Sequence, residues 1–427
     1  MASVAQLLLP SILICFVAIS FAQKEPFLPN SVILPVTKDL SRFQYVTQIY
    51  IGDQPQAPTK LVIDLSGSFS WMDSAFTSLS SASQHPINCF SLQCSMAKAA
   101  TSCTSGNKTC TLQPENPITR IVTRGDLTED IISVSVTDGI ETGSLASISH
   151  FLFSSAPELL LKGLSNGVKG VLGLGNTRIS LPSQVANTFG FQRKFSLCLS
   201  SSNGVLFSGQ SPYMSLPHSE ISKSLIQTPF VFRDGNKLKG YYISVKSIKI
   251  NGKKMVINES SLLVNQEGVG GTKISTMVPY STMESTLYHT FIEAYIKAAI
   301  ALNMTMVSPV APFGVCFSSE GVDTKRVGPN VPIIDLVLQS EMVKWRILGR
   351  NSMVQVSDKV MCLGFLDGGL NSKASFLIGG YQLEDNFLEF NLETSMLGFS
   401  SPLLMGETTC SNLRLQHMPR ETRHYDF

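Results

Sequence analysis

Charge is scarce in this chain: Asp, Glu, Lys and Arg together make up 15% of 427 residues, and 33 basic against 31 acidic side chains leave a formal charge of +2. No Lys/Arg block is long enough to offset that balance, so nucleic acid is not an expected partner. Long apolar runs are also missing. Past the first 22 residues no segment could span a bilayer, and no membrane anchor is expected. Histidine is missing from the clustered cysteines, and no metal site is expected. What remains is globular. At 43% hydrophobic the chain can fill more than one core, its length favours two domains of roughly 200 residues, and its Ser, Thr, Gly, Val and Ile content leans towards β structure.

The first residues read as a secretory signal over 1–22. Leu7–Leu9 and Ile12–Ile19 form the apolar region, and Ser20-Phe21-Ala22 makes a small-x-small cleavage site before Gln23-Lys24-Glu25. Cys15 leaves with that segment. The mature chain keeps Cys89, Cys94, Cys103, Cys110, Cys198, Cys316, Cys362 and Cys410, an even count that suits disulfides in an oxidising compartment. A zinc site in the tight group from Cys89 to Cys110 is the alternative, but that group has no paired C-x-x-C and no histidine. Sequons at Asn107, Asn258 and Asn303 are glycosylation candidates.

Strand-like alternation recurs at Phe43–Ile51, Thr59–Asp64, Asp130–Val136, Tyr241–Ile250, Trp345–Val356 and Phe387–Leu392. Turn residues such as Gly52-Asp53, Asp138-Gly139 and Asn251-Gly252 separate these runs. Helices are expected to open at Leu181-Pro182 and to run over Ser285–Leu302, with Tyr288, Phe291, Ile292, Tyr295 and Ile296 on one face. The two halves echo each other. Leu61-Val62-Ile63-Asp64-Leu65-Ser66-Gly67 answers Gly271-Thr272-Lys273-Ile274-Ser275-Thr276-Met277, and Gly170–Gly175 answers Ser375–Gly380. A boundary falls near Ser211–Glu220.

These echoes resemble the pepsin-like aspartic proteases, in which each lobe supplies one Asp at a strand tip, followed by Ser/Thr and Gly. There the two carboxylates share a proton, so that one can act as base while the other stays acid. Asp64 fits the first position, with an extra-looking Leu65 before Ser66. Ser275 stands at the second Asp and Met277 at its Gly. The resemblance places Asp64 and Ser275 opposite each other across a cleft, and a serine there cannot complete the dyad. Met277 is expected to block the tight turn that glycine allows. Active members also carry a flap Tyr, and no Tyr occurs between Tyr50 and Tyr213. The flap hairpin itself is expected at Ile121–Asp126 running into Leu127–Val134.

A narrower resemblance rests on Val32–Asp39, Thr177–Gln184, Lys194–Leu199 and Asn351–Val356. These runs are similar to the plant group of basic 7S globulins, dermal glycoproteins and xyloglucanase and xylanase inhibitors. That resemblance implies a mainly β, bilobal pepsin-like fold, with two barrel-like lobes around a cleft at 23–215 and 216–410 and a polar tail at 411–427. By order and resemblance, Cys89–Cys110 and Cys94–Cys103 should nest in the first lobe, Cys316–Cys362 should staple the second, and Cys198–Cys410 should join them. The implied role is a catalytically inactive, secreted inhibitor of a microbial glycoside hydrolase (a xyloglucanase or xylanase), located in the apoplast or cell wall and needing no cofactor. The alternatives are a binding or storage protein for a peptide or glycan, and a residual endopeptidase. Arg326, before Val327-Gly328-Pro329, matches one basic contact of the inhibitors, while Gly406 stands where the second is expected.

Overall fold

The structure, a computed structural model, describes residues 29–53, 56–97, 108–137, 142–209, 215–216, 219–220, 225–231, 238–406 and 408–412. The expected signal segment, the Asp138-Gly139 turn, Cys103, Asn107, the junction at 211–214 and the tail from 413 lie outside these residues.

The fold is mainly β and pepsin-like. Its base is a run of strands in the order Ile226–Pro229, Met396–Phe399, Phe387–Asn391, Lys194–Cys198, Asn203–Gly209 and Ser31–Asp39. The two halves of the chain meet where Phe195 pairs with Phe390 in antiparallel register, their rings stacked 4.6 Å apart. From this base the first half curls into a barrel. Strand Gly125–Thr137 pairs along Thr142–Ala156 and returns to the start of the chain through Tyr50↔Ser133 and Ser31↔Thr137. Alternate residues such as Ile132, Val134 and Val136 fill its interior.

The second half builds smaller sheets around helix Ser285–Ile300. Leu287, Tyr288, Phe291 and Tyr295 are buried there, whereas Ile292 and Ile296 are only half-buried. The helix starts at Ser285 because Glu284 caps it, accepting from the Thr286 and Leu287 amides. The expected Asn251-Gly252 hairpin forms with both residues at positive φ, 48° and 81°, as a twist-compatible two-residue turn requires.

Two long expected strands are broken. Tyr241–Ile250 divides into Tyr241–Ile243 and Ser247–Ile250, which belong to different sheets. Trp345–Val356 divides at the short helix Gly349–Ser352. The pieces of 345–356 each bury one face and Tyr241–Ile243 is buried on both, so periodicity alone cannot reveal a change of sheet.

The expected bridges Cys198–Cys410 and Cys316–Cys362 are present. The nested pair in the first lobe is not: Cys94 bonds to Cys110, which excludes both Cys89–Cys110 and Cys94–Cys103. The short helix Leu92–Met96 turns Cys94 into the same apolar cluster that Cys110 enters beside Leu112, Leu127 and Leu152. Cys89 is also disulfide-bonded.

Candidate functional site

Two loops of matching construction meet at the centre of the molecule. Strand Ala57–Asp64 runs parallel to Gly170–Gly173, with Asp64 opposite Gly173. At its tip the Ser66 amide donates to Asp64 Oδ1 at 2.7 Å. In the second half, Thr272–Ile274 runs parallel to Phe376–Ile378. There the Met277 amide donates to Ser275 Oγ at 3.1 Å. Ser275 therefore makes with its hydroxyl the turn that Asp64 makes with its carboxylate. The expectation that Met277 would block this turn is overturned, since Met277 is not among the residues with positive φ and needs no glycine-like backbone.

Leu65 is likewise no insertion. It holds the place in the first turn that Thr276 holds in the second, and both are fully buried. Thr276 Oγ1 donates to the Ile63 carbonyl at 2.6 Å and accepts from the Leu65 amide at 3.3 Å, tying one half of the chain to the other. Leu65 has no hydroxyl with which to return these bonds. The clasp is one-sided.

Asp64 and Ser275 line one pocket, but it is small, about 120 Å³. Ligand pockets typically reach about 300–1,000 Å³. Three features narrow it. Met277 projects into a cluster with Trp71 and Val171, against half-buried Ile121. The flap lines the pocket through Gln113, Glu115, Pro117 and Arg120, and its arms differ from those expected. Thr111–Leu112 pairs with Gly125–Asp126, and Glu115 stands opposite Val122. The arms are thus 111–116 and 121–126, while 127–134 continues into the barrel wall with Thr142–Ala156 as its partner. Where active relatives carry a flap Tyr, the flap here is tied by its backbone, Trp71 Nε1 donating to the Glu115 carbonyl at 3.1 Å. Finally, the Glu115 carboxylate lies 3.6 Å from Arg120 on the flap and 3.8 Å from Lys239 in the second half.

The charges inside the pocket differ from those of a proton-sharing dyad. Burial pushes the Asp64 carboxyl above its ordinary range, against the Ser66 amide bond and the attraction of Lys273. Burial pushes the Lys273 ammonium down, opposed by Asp64. A lysine in the preceding strand, not a second carboxylate, is the group answering Asp64. Sequence reasoning passed over Lys273, Glu115, Arg120 and Lys239. Only Lys273 left a signal: a charge within Thr272-Lys273-Ile274, a strand that otherwise reads as buried.

The remaining expected residues lie elsewhere. Arg326 is exposed at the tip of the hairpin joining Thr324–Lys325 to Gly328–Pro329. Gly406, also exposed, ends the short 3-10 turn Leu403–Gly406. Asn258 is exposed, its Oδ1 accepting from the Ser260 amide and hydroxyl at 3.1 and 2.8 Å. Asn303 is exposed beyond helix Ser285–Ile300 at φ 58°. Among the described residues no group of three or more His, Cys, Asp or Glu is placed to hold a metal ion. No described helix is long and apolar enough to cross a membrane.

The xylanase inhibitor N-terminal family matches residues 45–210, and the xylanase inhibitor C-terminal family matches residues 240–401. The chain is 44% identical to the probable aspartic proteinase GIP2 of Nicotiana benthamiana, over 95% of this chain and 97% of that protein. It superposes on the crystal structure of edgp with a TM-score of 0.86 at 44% identity, covering 91% of this chain and 99% of that one. The crystal structure of basic 7S globulin from soybean follows at 0.77 and 32% identity, covering 90% and 98%.

Proposed function

Because the chain belongs to the xylanase-inhibitor family of pepsin-fold proteins, we propose that it is a secreted, proteolytically inactive member that binds and inhibits a microbial cell-wall glycoside hydrolase of the xyloglucanase or xylanase class. The observation that carries the first part is Ser275, which has the backbone position of a catalytic carboxylate and none of its chemistry. Aspartic proteolysis needs two carboxyls close enough to share one proton, one acting on water and the other on the scissile carbonyl. A serine hydroxyl stays neutral at any relevant pH, and losing one positioned acid/base group removes about 10²–10⁴ in rate. Lys273 and Met277 line the same small pocket as Asp64 and narrow the room for a substrate chain.

Inhibition would use the outside of the fold. A glycosidase cleft presents two carboxylates, and a guanidinium inserted between them makes charge-assisted, bidentate contacts while blocking the sugar subsites. Arg326 supports this reading because it stands exposed at the tip of a two-stranded hairpin. The second reading, a binding or storage protein for a peptide or glycan, is favoured by Gly406, which offers no side chain where inhibitors carry their second cation. Relatives named as globulins fit it equally well.

The deciding experiment pairs protease assays on haemoglobin or casein at acid pH with inhibition assays on several xyloglucanases and xylanases. Inhibition without cleavage is the expected result. Pepstatin-sensitive cleavage would return the chain to the endopeptidases, and failure against every glycosidase would leave the binding reading.

A further inference from the structure

We propose that the outer face of the second lobe carries a binding site for a carboxylated polysaccharide, a polyuronate, formed by the lysines of a four-stranded sheet and the groove beside them. The sheet runs in the order Lys253–Lys254, Ser247–Ile250, Ile334–Val337 and Lys344–Ile347. Its register pairs Lys254 with Lys249, Lys249 with Asp335, and Asp335 with Arg346, so these four side chains share one face. The adjacent row sets Ile250, Ile334 and Ile347 on the opposite face, where all three are buried. With strands about 4.8 Å apart, the charged row spans about 14 Å.

Three of the four positions are cationic. The single anion, Asp335, is held by Arg346 in a bidentate pair, Nε to Oδ1 at 2.8 Å and Nη2 to Oδ2 at 3.3 Å. That pair leaves three of the five guanidinium N–H donors for other acceptors.

A carboxylate already sits among these cations. Glu341, on the exposed loop between two strands of the sheet, reaches back to accept from Lys249 Nζ at 2.6 Å. Its carboxyl is held below the ordinary range, first by that hydrogen bond and then by the charges of Lys249, Lys344 and Lys254. Glu341 is a tethered, solvent-exposed occupant of a seat that fits a carboxylate, and a polymer bearing one on every ring can displace it. Beside the seat lies a groove of about 280 Å³, lined by Lys344, Arg346 and Glu341 together with Ile226, Met342, Pro402 and Met405. Cations beside aliphatic side chains suit a sugar acid, whose ring offers carboxylate on its edge and C–H on its face. The groove has no aromatic side chain on which a nucleobase could stack, and a net charge of +2 is small for a nucleic-acid binder.

Affinity gel electrophoresis of the full chain through polygalacturonate tests the site. Retardation should be clear near 50 mM salt, fade near 300 mM, and be absent with the fully methyl-esterified polymer, which keeps the backbone but loses the charge. The variant Lys249→Gln/Lys254→Gln/Lys344→Gln should bind about tenfold more weakly. Glu341→Gln should bind more tightly than wild type, because it empties the seat, and no folding defect mimics that gain. Equal retardation by the esterified polymer, an unchanged triple variant, or stronger retention by DNA or anionic vesicles than by polygalacturonate would overturn the assignment.

Discussion

Lys38 and Glu384 form an ion pair at the junction of the two halves, and its removal should cost stability in a pH-dependent way. The Lys38 ammonium lies 2.6 Å from Glu384 Oε1, with the two side chains only 7% and 4% exposed. The Tyr45 hydroxyl donates to the same oxygen at 2.9 Å, and the rings of Phe43, Tyr45 and Tyr381 surround the ammonium at 5.6–5.9 Å. Lys38→Met keeps most of the buried volume but leaves a carboxylate without its cation, a loss worth about 3–5 kcal/mol. Burial already holds the Glu384 carboxyl above its ordinary range, with Lys38 pulling the other way. A carboxyl raised on folding contributes stability that is fully present below its unfolded pKa and lost as pH rises through the folded one. Without Lys38 that folded pKa climbs further. The variant should therefore suffer fully near pH 7 and far less near pH 4.5, where Glu384 takes up a proton instead. Urea unfolding of variant and wild type at both pH values measures the difference, and the midpoint near pH 7 should fall by about 1 M or more. The double variant Lys38→Met/Glu384→Gln should recover most of the loss, because buried pairs replaced together cost little. Equal destabilisation at both pH values, or no recovery in the double variant, would show that Lys38 acts through packing rather than charge.

Four further outcomes follow from the site. Ser275→Asp should yield no pepstatin-sensitive cleavage, since Lys273, Met277 and the missing flap hydroxyl remain; cleavage of haemoglobin at acid pH would contradict this. Thr276→Val should leave the buried Ile63 carbonyl and Leu65 amide without their bonds to its hydroxyl, lowering stability by about 1–3 kcal/mol in denaturant titrations. If the chain inhibits a xyloglucanase through Arg326, Arg326→Ala should weaken inhibition by about 2–5 kcal/mol, roughly thirty- to several-thousand-fold, and Gly406→Arg should tighten it; unchanged inhibition constants for both would move the contact elsewhere. Peptide mapping without reduction should recover Cys94 linked to Cys110, and a Cys89–Cys110 peptide would refute the observed pairing.

The amino-acid sequence alone carried the mainly β character, the duplicated strand-and-turn signatures and the position of Ser275. Each of these is a local or repeated pattern: alternation marks one buried face, and the matching runs around Asp64 and Ser275 set the halves in register. The two correct bridges, Cys198–Cys410 and Cys316–Cys362, came from the family resemblance, because spacing alone leaves the connectivity open. The nested cysteines, the flap arms and the unbroken strand at 345–356 were misread for a common reason. Spacing does not say which way a short helix turns Cys94, where Gly125–Thr137 leaves the flap for the barrel wall, or where a strand changes sheets. The charged, narrowed cleft also had to wait for tertiary structure. Lys273, Glu115, Arg120 and Lys239 are distant in sequence, and only the folding of one half against the other brings their charges around Asp64, just as only strand register gathers Lys249, Lys254 and Arg346 onto one face.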